Sequence, residues 1–146
     1  MVLPAANEYG DLPPGIHVAG WDEVEGRFGL ATEGRRRAFA KLRLLYDLAT
    51  HTGYLRQFIV FGSFVSGKAE PRDVDVALIM GADFRLENAP RESQTLFSHA
   101  DADARYGASI FWMRDEMLSA ELVTYFLDTW QMTRDGRRRG LVEILS

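Results

Sequence analysis

Cysteine does not occur in the 146-residue sequence. Disulfides and thiolate metal sites are therefore excluded, and a reducing cytoplasm is the expected setting. Long apolar runs are missing too, since none approaches the roughly 18 residues that a membrane-spanning helix needs. The opening MVLPAANEYG lacks the basic-then-apolar pattern of a signal peptide. The expectation is a soluble, cytoplasmic protein with no membrane partner. An excess of positive charge is also absent: 17 Lys and Arg stand against 21 Asp and Glu, for a net charge of −4. That balance argues against a strong general affinity for nucleic acid, although a nucleotide or an RNA end held locally through a metal stays open. The three histidines, His17, His51 and His99, have no ligand spacing, and there are no internal repeats or low-complexity segments.

What is present is a composition for a packed core, 47% hydrophobic and 12% aromatic, in a length that suits one domain spanning 1–146. Residues 1–20, with Pro4 and Pro13-Pro14-Gly15, read as an extended arm on the surface. Trp21, Val24 and Phe28 repeat at helical spacing before Gly29, as a core-facing helix. Residues 34–52 give the clearest helix: Phe39, Leu42, Leu45, Tyr46 and Ala49 make its stripe, and Gly53 follows as a cap. Its cations Arg35, Arg36, Arg37, Lys41 and Arg43 read as a solvated face, with contact to a triphosphate or RNA as the functional alternative. Strands are predicted over 55–61, 74–80, 108–113 and 141–145, and helices over 90–105 and 115–130. The second of these helices would bury Leu118, Leu122, Val123, Tyr125, Phe126 and Trp130, and Asp135-Gly136 marks a turn. The order of elements predicts an α+β fold, a small mixed β-sheet packed against helices.

The stretch with the most chemistry runs from Phe61 to Met80, FGSFVSGKAEPRDVDVALIM. An apolar strand breaks at Gly62-Ser63, and a polar passage follows that carries Lys68. A second strand then brings Asp73 and Asp75 onto one face and Val74, Val76, Leu78 and Met80 onto the other. Two carboxylate headgroups about 4 Å apart repel by roughly 4 kcal/mol at an effective dielectric near 20. Such a pair becomes favourable when it grips a divalent cation. Gly62 lets the backbone come close to a ligand, Ser63 offers a hydroxyl and an N–H, and Lys68 offers a charge, as an anion cradle requires. Together they read as a site for a metal-bound polyphosphate. The spacing Gly62–Gly67 before Lys68 superficially fits a phosphate loop, but Ala69 stands where that loop needs Ser or Thr.

Gly62-Ser63, the spacer, and Asp73-Val74-Asp75 resemble the signature of the DNA polymerase beta-like nucleotidyltransferase superfamily, in the flavour of its minimal prokaryotic members. Weaker echoes in LPPGIH, Trp21, Arg27-Phe28-Gly29, Ala104–Gly107 and Gln131…Gly140 extend the likeness to an uncharacterised nucleotidyltransferase-like family along nearly the whole chain. The resemblance implies a metal-dependent enzyme that moves a nucleoside monophosphate from a nucleoside triphosphate to a hydroxyl on a protein, an RNA or a small molecule. Asp73 and Asp75 would be catalytic and would bind Mg²⁺ or Mn²⁺, while Gly62, Ser63 and Lys68 would hold the nucleotide. The superfamily usually adds a third carboxylate from a neighbouring strand. The matching strand here, ASIFWM, has none: Ser109 is its polar residue, and Asp115, just beyond it, is the nearest candidate ligand. The resemblance also implies a second role. The chain would be a catalytically weak or inactive component of a toxin–antitoxin or defence module that binds a co-encoded helical partner.

Overall fold

The computed structural model describes residues 3–71, 73–117 and 119–145. Five strands form one mixed sheet: β1 (Ile16–Gly20), β2 (Leu55–Phe61), β3 (Val74–Met80), β4 (Ala108–Arg114) and β5 (Leu141–Leu145), in the order β1-β5-β2-β3-β4. β2 and β3 are antiparallel, β3 and β4 parallel, and β5 lies antiparallel to β2 and parallel to β1. The α+β class follows directly. Among the described residues five helices flank this sheet: α1 (Trp21–Phe28), α2 (Glu33–Thr50), α3 (Arg91–Gln94), α4 (His99–Tyr106) and α5 (Ala120–Gln131).

Alternation along β3 divides the core in two. Val74, Val76, Leu78 and Met80 pack with Val24 and Phe28 of α1, Leu42 and Leu45 of α2, and Ala102 of α4. On the other face Ala77 and Ile79 join Ile59, Phe61, Leu141 and Trp130 of α5. Each fully buried side chain of this size contributes about 1.5–3 kcal/mol by leaving water, so the register of β3 is strongly specified on both faces. Asp75 falls on the α5 face, at the end of the strand that extends beyond that smaller core, and Asp73 precedes the strand.

Helix boundaries follow capping groups more than apolar spacing. Thr32 caps α2 by accepting from the Arg35 N–H at 3.1 Å. The single helix predicted over 90–105 is broken: α3 passes into a short 3₁₀ turn at Thr95–Phe97, and Ser98 then caps α4 by accepting from the Asp101 N–H. The helix predicted from Asp115 starts at Ala120, because Ser119 accepts from the Leu122 N–H at 3.2 Å. On α5 Trp130 is buried, but Tyr125 is 63% exposed, which corrects its predicted place in the core. Leu118, expected on the same face, lies outside the described residues.

The arm expected on the surface is more closely tied to the molecule. Its last five residues are β1, paired with β5, and Leu3 and Leu12 are buried. Arg137 meets Asp11 at 3.2 Å and lies 4.0 Å above the Tyr9 ring, so the arm is pinned to the 133–137 turn. Gly10 and Gly67 also approach so closely that a Cβ at either would stand 3.0 Å from the other's Cα. The arm thereby braces the loop that follows Gly62-Ser63.

Candidate functional site

The site is built where three strand ends meet. β2 ends at Phe61, β3 begins at Val74 and β4 begins at Ala108, and the register sets Phe61 and Ser109 on either side of Asp75. Side chains in register on neighbouring strands share a face, so the row reads Phe61, Asp75, Ser109. Asp73 stands just ahead of β3 and is exposed, whereas Asp75 is half-buried.

Gly62 makes this arrangement possible. Its φ of +79° is one that L side chains rarely adopt, and a Cβ there would run into the Asp75 carboxylate. A main chain that turns sharply beneath a carboxylate needs glycine for both reasons. Gly62–Val65 then forms a 3₁₀ turn that buries Phe64 and Val65 and leaves Ser63 half-buried. The turn is closed by Ser66, whose hydroxyl donates to the Ser63 carbonyl at 2.6 Å.

Arg35 holds the loop from below. It is 5% exposed and donates to the carbonyls of Phe28 at 3.0 Å, Phe64 at 2.8 Å and Ser66 at 2.8 Å, and also to that of Lys68. Burial pulls its pKa down and nearby Glu70 pushes it back. The α2 cations are therefore not one solvated face. Arg36 donates to the Leu30 carbonyl, Arg37 pairs with Glu33 at the surface, and Arg43 lies 4.6 Å above Trp21. Lys41 lies in the neighbourhood of Asp73: its Nζ and Asp73 Oδ1 both lie within 4 Å of where a Gly107 Cβ would stand. Lys41 forms no salt bridge among the described residues.

Electrostatics mark Asp75. Burial first, and the Asp73 charge second, push its pKa above the ordinary carboxylate range; the Arg139 charge and the neighbouring Ser109 hydroxyl oppose them. Arg139 precedes β5 at the same end of the sheet, and its Nε is buried without a hydrogen-bond partner. Arg139 is thus the cation brought to Asp75, and Lys41 lies near Asp73 without pairing with it. Sequence reasoning missed both roles: nothing in the α2 pattern tells Lys41 from its neighbours, and Arg139 carried only the signal of closing an Arg-Arg-Arg run before Gly140. Lys68, predicted beside the phosphates, instead lines an open cleft with Arg27, Thr32 and Gly10, and neither Asp73 nor Asp75 lines that cleft.

Asp115 is at the wrong end of the sheet to be a third ligand. It follows Arg114, which pairs with Met80, and its carboxylate lies 4.0 Å from Arg56. Six residues of strand at about 3.3 Å each put it roughly 20 Å from Ser109. Among the described residues no three His, Cys, Asp or Glu side chains group closely enough to hold a metal ion. Two carboxylates still suit Mg²⁺, which is commonly held by one or two of them with substrate phosphates completing its shell.

No match was found among curated proteins or among solved structures. No helix among the described residues is long and apolar enough to cross a membrane. A family model described as "Family of unknown function (DUF6932)" matches residues 4–145, and the chain belongs to that family.

Proposed function

We propose that this end of the sheet binds the phosphates of a nucleoside triphosphate, with Asp73 and Asp75 holding Mg²⁺, and that the chain is a nucleotidyltransferase acting on a hydroxyl acceptor. The observation that carries the reading is the close approach of Gly62 to the Asp75 carboxylate, which brings the predicted phosphate turn and the predicted metal pair into one place. When bound, the metal, held by Asp73 and Asp75, would supply positive charge that offsets the charge developing on the departing pyrophosphate. Ser63 would donate its hydroxyl to a phosphate oxygen. Arg139 beside Asp75 and Lys41 in the neighbourhood of Asp73 would supply positive charge, which lowers the work of bringing a polyanion to two carboxylates.

A ligand that binds only the folded chain raises its melting temperature. At a hundred times its Kd the gain is about 2.7 kcal/mol, or roughly 5–10 °C for a domain of this size. Mg²⁺ with ATP should give such a rise in the wild type and none in Asp73→Asn/Asp75→Asn, which keeps the volume and removes the charge. An equal rise in the double variant places the binding site elsewhere.

Ser109 favours a second reading. With a hydroxyl where the resemblance expects a carboxylate, the chain would bind nucleotide and transfer it slowly, as a component of a two-protein module whose partner acts with it.

A further inference from the structure

We propose that Phe111, exposed on β4, the edge strand of the sheet, takes the nucleobase of the bound nucleotide by stacking. This inference rests on the phosphate-binding reading given above. β4 is the last strand of the sheet, and among the described residues no further strand pairs with its outer edge. Ser109, beside Asp75, and Phe111 share the α5 face. One full pleat, about 7 Å, separates them, which leaves room for a sugar between a phosphate at the acid pair and a base at the ring.

The ring is flanked by aromatic neighbours and still meets water. Phe61 lies 6.1 Å from Phe111 and stacks on Trp130 at 5.3 Å, and Trp130 itself lies 6.5 Å from Phe111. Phe111 nevertheless remains 44% exposed. The exposed His99 ring stands 6.0 Å away at 45° and flanks Phe111, too close and too tilted to hold a base between the two rings, so the base would lie on the exposed part of Phe111. A rigid aromatic face that stays open to water beside a polyphosphate site has the chemistry of a base platform. Stacking draws on the π-face that every base has, so ring area should govern the order of affinity: ATP and GTP alike, and both above CTP and UTP.

The test compares Mg²⁺-tripolyphosphate with Mg²⁺-nucleotides by calorimetry on the full chain. In the wild type ATP should bind about ten-fold tighter than tripolyphosphate, the worth of one stacked base. Phe111→Leu keeps an apolar side chain without a π-face. It should bring ATP down to the tripolyphosphate level and leave tripolyphosphate unchanged, while Phe111→Tyr should retain the ten-fold gap. If wild type binds tripolyphosphate and ATP equally, or Phe111→Leu keeps the gap, the base platform is wrong and the phosphate site stands. If wild type binds neither, both readings fall.

Discussion

Asp75 carries the clearest single-residue consequence. Its pKa is raised chiefly by burial and then by Asp73, so the folded chain holds a proton there more tightly than the unfolded chain does. A carboxyl shifted in this direction contributes stability at pH below the unfolded value, and that contribution is lost as pH rises through the raised one. At neutral pH a charged Asp75 therefore works against folding. Asp75→Asn should melt a few degrees above wild type at pH 7, and the difference should shrink as pH falls toward the unfolded carboxylate range near 4. An Asn variant that melts lower than wild type at pH 7 would mean that the attraction of Arg139 and the Ser109 hydroxyl outweigh the burial.

The loop from Gly62 to Lys68 depends on an element distant in sequence. Four carbonyls, from Phe28, Phe64, Ser66 and Lys68, converge on one guanidinium from the first turn of α2. Hydrogen bonds to charged groups contribute more than neutral ones, and buried carbonyls left without donors add their desolvation cost. Arg35→Met should therefore destabilise by about 2–4 kcal/mol, seen as a melting temperature lower by roughly 10 °C. Arg35→Lys should recover little, because an ammonium cannot match the planar fork. An Arg35→Met chain that melts within a degree of wild type would show that the loop holds its own shape. This contact explains a limit of sequence reading. Strand β2, strand β3 and the apolar stripe of α2 were legible because alternation and helical spacing repeat over many residues. Arg35 was not legible, since one arginine among five cations carries no local mark of the four carbonyls it meets. The broken helix at Ser98 was recoverable: Ser98 followed by Asp101 is a capping pattern, masked by apolar residues on both sides.

Topology of the whole molecule decides which group stands next to the acid pair. From the sequence, the Gly-Ser turn and the two aspartates could be placed on adjoining strands, but the vacancy beside them could not be assigned. That needs the partner and register of β4, which are long-range facts. The parallel β3–β4 pairing matches Asp75 with Ser109 and carries Asp115 to the far end. A displacement that clamps both attacking and departing oxygens needs two metals, and loss of one such clamp can lower the rate by about 10²–10³. Ser109→Asp supplies the carboxylate the register calls for, about 5 Å across from Asp75. Like charges directly opposite on neighbouring strands are destabilising, so without metal this variant should melt below wild type. Mg²⁺ or Mn²⁺ should restore it, by a larger shift than either ion gives the wild type. Transfer of labelled nucleotide to protein or RNA acceptors should rise in the same variant, while Asp115→Ala with Glu116→Ala should behave as wild type in both measurements. The added carboxylate and the metal act as one unit in this argument. A Ser109→Asp chain that loses stability and gains nothing from either ion would therefore show that the pair of aspartates does not form a metal site.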